Sequence, residues 1–366
     1  MQGASKIMLS FIKEKETVWE RLKSTSKPIV LYGMGNGADK LLDWCEANAV
    51  AVAGIFATDE FVRYQQFRGF TVRKYSDIIA ELGQDILIVI AFASERPEVL
   101  ARFAELAALH ETLAPHLPLF AEKELVSPSW LVLHEEQLRE AYSLLADEKS
   151  RQVFASVLNY KLSGKLSYLF DCTTDRQEDL QTLLPWQSEE FYLDLGAYNG
   201  DTVKELLRLS PTTKNIIALE PDRRNCRKLR QLGEILAAEG ITCEIHACGS
   251  WCCPTELAFS DSGGRQSSFC SNSKCLVPVD TVDHIVGARP ISFIKMDVEG
   301  AEKQTLQGGS ATIRTYKPKL FIAAYHYDND LWELPLLLHQ LVPEYKLYLR
   351  KHPYVPCWEI NYLARI

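Results

Sequence analysis

The stretch "FYLDLGAYNGDT", residues 191 to 202, runs from an apolar segment through Asp194 to glycines at 196 and 200 and then into a helix-like stretch. An apolar strand, a glycine turn and a helix start are what a mononucleotide-binding crevice requires. Glycine lets the backbone pass where a Cβ would collide, and the helix start aims free N–H groups at negative charge. A second turn of the same kind, "VLYGMGNGADKLL", lies at residues 30 to 42. The chain thus has two candidate sites, and the alternation around each decides the fold.

Working outward from the 191 to 202 turn, strand "FYLDLG" and helix "DTVKELLRLS" are followed by strand "NIIALEPD", helix "RRNCRKLRQLGEILAAEG" and strand "TCEIHACG". Two extended pieces, "ELAFS" and "KCLVPVD", flank the polar turn "DSGGRQSS". Helix "TVDHIV", strand "ISFIKMDVEG", a helix from Ala301 and strand "KLFIAAYH" come next. The last two strand-like runs, "EYKLYLRKH" and "EINYLARI", are separated by "PYVPC" and read as a hairpin, an antiparallel edge on a parallel sheet. Methyltransferases of the S-adenosylmethionine-dependent Rossmann-like class end in such a reversed hairpin, whereas pyridine-nucleotide dehydrogenases commonly continue with parallel strands.

The N-terminal half alternates in the same way. Strand "KPIVLYGMG", helix "ADKLLDWCEANA", strand "VAVAGIFA", segment "GFTVRKYSDII", strand "DILIVIAFA" and helix "RPEVLARFAELAAL" predict a second, mostly parallel sheet. With 366 residues the chain exceeds the usual size of one core. The expected organisation is α/β with two Rossmann-like domains: residues 1–120, a helical connector over 121–185, and residues 186–366 with the class I methyltransferase sheet and its edge hairpin.

Composition narrows the function classes. Hydrophobic residues at 47% and charged residues at 24% are globular proportions, and no apolar run reaches the roughly eighteen residues of a membrane span. The N-terminal segment reads as an amphipathic helix and not a secretory signal, so a cytoplasmic location is expected. A net charge of -8 lacks the basic footprint of a nucleic-acid binder. Of the ten cysteines, Cys243, Cys248, Cys252, Cys253, Cys270 and Cys275 crowd together, but no CxxC pair occurs and reduced thiols are expected. His246 and His284 read as structural.

The chemistry of the later turn follows from its carboxylates. Asp194, at the strand end before the glycines, would repel a pyrophosphate but can accept from an amino-acid ammonium, directly or through water. Glu220 closes the next strand, where a doubly wound sheet sets an acidic side chain against ribose hydroxyls. Together they suit an adenosylated amino acid, S-adenosyl-L-methionine. Lys295, Asp297 and Glu299, at the end of "ISFIKMD" and just beyond, approach the same crevice. Methyl transfer to a hydroxyl needs an aligned acceptor and a base, for which Asp297 and His326 are equal candidates. Lys295 and Glu299 would alternatively form a bracing ion pair. Magnesium held by Asp297, Glu299 and Glu302 is a further option, but Glu302 is expected to face away on the following helix, so no metal is expected.

Four segments carry a family resemblance: "DLGAYNGDT" at 194 to 202, "ALEPD" at 218 to 222, "VPVDTVD" at 277 to 283 and "FIKMDVEGAEKQTLQGG" at 293 to 309. The chain from about residue 150 resembles the FkbM-type methyltransferases, S-adenosylmethionine-dependent O-methyltransferases. The resemblance implies cofactor contacts from Asp194, Gly196, Ala197, Tyr198, Gly200, Thr202, Glu220 and Asp222, and a methyl-transfer pocket lined by Asp297, with Lys295 and His326 as the other catalytic candidates. It implies an acceptor hydroxyl on a sugar, glycan or related metabolite. The cysteine-rich "HACGSWCCP" departs from the family pattern. The acceptor surface is expected from residues 251 to 275, the loop after His326 with Tyr327 and Trp332, and the connector. Oligomeric state is left open.

In the first turn, Gly33, Gly35 and Ala38 satisfy the dinucleotide G-x-G-x-x-G/A fingerprint, but Asp59 is displaced into the turn after the second strand. A scaffold role is expected for this domain, with an NAD-binding oxidoreductase or a non-catalytic binding protein as the alternatives. Tyr64, Phe67 and Phe70 read as packing residues, or otherwise as a sugar-stacking surface.

Overall fold

The computed structural model describes residues 9–119, 125–259 and 275–366. The chain divides into two compact units, each assembled from separate segments. The first comprises residues 1–135, 152–174 and 351–359, and the second residues 136–151, 175–350 and 360–366. Residues 121–185 are largely helical where described, as expected, but they form no separate body. They are shared between the two units.

In the first unit, β1 (Ile29–Tyr32), β2 (Val52–Phe56), β3 (Gln66–Phe67), β4 (Phe70–Arg73), β5 (Leu87–Ile90) and β6 (Glu111–Leu113) form one sheet in the order β3-β4-β2-β1-β5-β6. All pairings are parallel except β3 with β4. The apolar runs "IVLY" and "LIVI" are buried along their whole length because helices cover both faces of such a sheet. Phe67 and Phe70 pack against this core, whereas Tyr64, expected with them, is 53% exposed.

The second unit holds β7 (Phe191–Leu195), β8 (Asn215–Leu219), β9 (Thr242–His246), β10 (Gly249–Ser250), β11 (Thr255–Phe259), β12 (Cys275–Asp280), β13 (Phe293–Met296), β14 (Lys319–Ala323), β15 (Lys346–Lys351) and β16 (Ile360–Arg365). Seven of these make the main sheet in the order β15-β16-β14-β13-β7-β8-β9. From β14 to β9 neighbours run parallel, and β16 lies antiparallel to β14, pairing Leu320 with Ala364 and Ala323 with Asn361. The reversed edge is where the sequence predicts it. Strands β10, β12 and β11 make a small separate sheet, with β11 and β12 antiparallel.

Register sets up the site. β13 and β7 align Lys295 with Asp194, and β7 and β8 align Asp194 with Ala218. The carboxyl ends of β8, β7 and β13 therefore open side by side, at the edge where doubly wound sheets bind ligands. The segment 136–151 joins this unit through Arg350 on β15, whose guanidinium lies 2.6 Å from Asp147 and 3.1 Å from Asp179.

Candidate active site

The turn after β7 is built by backbone. Gly196 and Ala197 donate their N–H groups to the Leu219 carbonyl at 3.1 and 2.9 Å, which ties the loop to the end of β8. Gly196 (φ 78°), Tyr198 (φ 48°) and Gly200 (φ 84°) all lie in the left-handed region, and helix Asp201–Leu209 starts at once. Both glycines are required by neighbouring protein. A Cβ on Gly196 would lie 1.9 Å from the Asp297 carbonyl oxygen, and one on Gly200 would lie 2.3 Å from Leu232. The close approach at Gly196 is therefore between two strand ends.

Beneath this turn lies a buried ion pair. Asp194 is fully enclosed; the Thr202 hydroxyl donates to its Oδ2, and the Lys295 ammonium stands 3.4 Å from its Oδ1. Lys295 also donates to the Gly196 carbonyl at 2.6 Å. Burial opposes the charge on Lys295, but Asp194, with Asp297 and Asp201 beyond it, outweighs that cost and raises its pKa. The alternative pairing of Lys295 with Glu299 is not formed: its partner is the residue beside it on the neighbouring strand. Asp194 and Lys295 thus hold the loop from below, and Asp194 meets Thr202 and Lys295.

Glu220 follows β8 and is nearly buried. Its Oε2 accepts from the Tyr198 N–H and its Oε1 from the Asp222 N–H, both at 2.8 Å. Burial pushes its carboxyl up to about 7, against the two backbone donors. Two donors leave part of the carboxylate's acceptor capacity unused. Asp222 caps helix Arg223–Ala238, accepting from the N–H groups of Arg224 and Asn225 at 2.8 Å.

Beyond β13 and β14, five side chains converge. The Asp297 side chain is 35% exposed and accepts from the Tyr325 hydroxyl at 3.4 Å. His326 is wholly buried, with Nε2 3.5 Å from Asp297 and 3.4 Å from Glu299, and Nδ1 3.0 Å from Glu302. Glu302 does not face away as expected. It is 1% exposed, turned inward, and its Oε1 accepts from the Val298 N–H at 3.0 Å. Left-handed backbone at Glu299 (φ 55°) and Gly300 (φ 91°) folds the chain back to bring it there. Burial opposes protonation of His326, but Glu302 and Glu299 outweigh it and hold the imidazole well above its ordinary range. Of the carboxylates around the imidazole, Asp297 and Glu299 are part-exposed at 35% and 29%, and Glu302 is buried.

Tyr325 is the member that sequence reasoning missed, and Glu302, named there, is the one it turned the wrong way. The "D-V-E-G-A-E" spacing was the available signal for Glu302, since a glutamate at a helix start readily bonds a preceding backbone N–H. Of the expected acceptor surface, residues 260–274 lie outside the described residues, Cys270 among them. Cys243, Cys248, Cys252 and Cys253 are free thiols. His246 and His284 pair with Glu244 and Asp280 at 2.6 and 2.7 Å.

In the first unit the glycine turn is filled by protein at Gly33 and Gly37 but not at Gly35. A Cβ on Gly33 would lie 2.5 Å from the Phe92 ring, and one on Gly37 would lie 2.2 Å from the Ala91 carbonyl oxygen, while Gly35 borders open space. Phe92 packs edge-on to Tyr32, which stacks on Phe56, so aromatic rings surround the end of β1. Ala38 is fully buried, and Asp59 opens a short helical turn beyond β2.

The second turn also has a sequence counterpart. Residues 194–355 match the family model of the methyltransferase FkbM domain. Over these residues the chain is similar to FkbM methyltransferase domains. No curated protein matches the sequence. Among solved structures, the fold is similar to that of a methyltransferase FkbM from Methylobacillus flagellatus KT, at 20% identity and a TM-score of 0.70. That likeness covers 93% of this chain and 90% of the other, so it includes the first unit as well as the FkbM-like residues. A precorrin-6y C5,15-methyltransferase from Geobacter metallireducens GS-15 shares 10% identity over 52% of this chain and 90% of its own, at a TM-score of only 0.32. No helix among the described residues is long and apolar enough to cross a membrane.

Proposed function

We propose that the protein is an S-adenosylmethionine-dependent O-methyltransferase whose acceptor is a hydroxyl of a sugar, glycan or related metabolite. The observation that carries this reading is the row of strand ends β8, β7 and β13, which sets nearly buried Glu220, the glycine loop and half-open Asp297 along one crevice of an FkbM-like domain.

The residues suit the cofactor. Glu220 retains acceptor capacity for ribose hydroxyls, and the loop at Tyr198 to Asp201 lies between it and Asp297. When bound, S-adenosylmethionine supplies a methyl group on a sulfonium. The protein's task is to align the acceptor oxygen in line with that carbon and to take its proton as the C–O bond forms and the S–C bond breaks, leaving the electron pair on sulfur. On this reading Asp297 takes the proton, supported by its part-exposed carboxylate beside enclosed His326. Lys295, enclosed with Asp194, acts by holding the Gly196 carbonyl and so positions the loop.

The test is calorimetric titration with S-adenosylmethionine, its demethylated product and NAD, followed by methyl-transfer assays on a panel of sugar nucleotides and glycans. Binding of the first two and loss of binding in Glu220→Ala are expected. Binding of NAD alone would overturn the reading in favour of the first unit's glycine turn.

A further inference from the structure

We infer that Asp297, Glu302 and His326 form a binding site for one divalent cation of the first transition row at the mouth of the crevice. Three carboxylates, from Asp297, Glu299 and Glu302, surround a single imidazole at 3.0 to 3.5 Å. Even a protonated ring would leave the group with an excess of negative charge, and an ion bound there would take the place of the proton on the ligating ring nitrogen. The nearby ammonium groups are engaged elsewhere, Lys295 with Asp194 at 3.4 Å and Lys303 with Glu333 at 3.0 Å.

Nδ1 of His326 is within hydrogen-bond distance of Glu302 at 3.0 Å, whereas the contact of Nε2 with Asp297 is longer than a hydrogen bond. Ligand atoms of Asp297, Glu302 and His326 lie within 4.8 Å of one another. The 3.5 Å between His326 Nε2 and Asp297 Oδ1 exceeds the roughly 2.7–2.9 Å of a charge-assisted hydrogen bond. It fits two atoms sharing a tetrahedral ion at bond lengths of about 2.0–2.2 Å. A second observation points independently to a ligand: Glu302 is 1% exposed, yet its Oε2 has no hydrogen-bond partner. A buried carboxylate oxygen without a donor is costly, and a cation is what satisfies it.

The donor set selects the class of ion. Imidazole nitrogen beside carboxylate oxygen favours manganese, iron, cobalt or zinc over magnesium or calcium, which prefer oxygen alone. Asp297, being half-open, leaves the ion reachable from the crevice. What the ion does there rests on the methyl-transfer reading. A coordinated acceptor hydroxyl would be acidified, with the second Asp297 oxygen free to take its proton. The existence of the site does not depend on that reading.

The experiment uses the full chain, stripped with chelator and titrated with Mn²⁺ while the resonance of free aqueous Mn²⁺ is followed, with the visible absorption of Co²⁺ as a second probe. One saturable Mn²⁺ site per chain is expected, with Mg²⁺ a weak competitor. Affinity should fall roughly tenfold or more in Glu302→Gln and in Asp297→Asn, the scale on which even groups behind a ligand act. Asp297→Asn, at a half-exposed position, decides the matter should the buried Glu302 variant fail to fold. No saturable site, or a site that survives Asp297→Asn unchanged, overturns the inference. Calorimetry with S-adenosylmethionine on the same samples separates the two readings: cofactor binding without Mn²⁺ binding sinks the cation site alone, and the reverse sinks the methyl-transfer reading alone.

Discussion

The two glycine turns are built to one plan and surrounded by opposite chemistry. Each follows an apolar parallel strand and opens a helix, and in each the space of a missing Cβ is taken by the protein's own atoms: the Phe92 ring at Gly33, the Asp297 carbonyl at Gly196. Around Gly33 stand Tyr32, Phe56 and Phe92. Around Gly196 stand Asp194, Lys295, Glu220 and Asp297. A glycine turn therefore records how closely strand ends approach. The side chains of the adjoining strands decide whether the opening has chemistry.

That contrast can be broken or sharpened by substitution, beginning with the largest effect. Asp297→Asn should lower methyl transfer by roughly 10²–10⁴-fold, the range of a lost general base, with cofactor affinity little changed. Single-turnover assays beside calorimetry check this, and unaltered turnover would remove Asp297 from the chemistry. Lys295→Met should cost about 3–5 kcal/mol, because it leaves Asp194 buried without its counter-charge. Denaturant unfolding measures it. An aromatic exchange in the first unit, Phe92→Leu, should cost far less, since no charge is stranded there.

Gly196→Ala combines an approach of 1.9 Å with a left-handed backbone, so a loss of about 2–5 kcal/mol is expected. Gly35→Ala meets nothing within 4 Å and should show only the backbone penalty of about 1–3 kcal/mol. Equal losses at the two positions would mean that close approach does not distinguish the turns.

The smallest effect is a pH dependence at Glu220. Its folded pKa is raised to about 7, so the folded state binds the proton more tightly than the unfolded state. The stability this contributes is full below the unfolded carboxyl range near 4.5 and is lost as pH rises through about 7. Cofactor binding should run the other way, strengthening between pH 6 and 8 as the carboxylate becomes free to accept from hydroxyls. Glu220→Gln should flatten both trends in unfolding and calorimetric series.

Much of this was legible in the sequence because it is local. Continuous apolar runs and glycine punctuation place Asp194, Glu220 and Asp297 at strand ends, and "PYVPC" marks the reversed hairpin. What was not legible depends on register and on backbone handedness. Asp194 and Lys295 are a hundred residues apart in outline, and only the alignment of β7 with β13 makes them partners in place of the sequence-near Glu299. Glu302 turns inward through left-handed Glu299 and Gly300, a reversal that helical periodicity cannot signal. The carboxylates drawn in around His326 lift its pKa beyond what an isolated imidazole would suggest. Single linear boundaries at 120 and 185 likewise assume that each unit is one stretch of chain.

The interleaving of the units has a consequence for biosynthesis. Residues 351–359, which link β15 to β16, belong to the first unit. A growing polypeptide leaving the ribosome therefore cannot complete its earliest-made body until nearly all of its later one has emerged. Fusion partners, nicks or truncations near the C-terminal hairpin should consequently be felt in the body that was translated first.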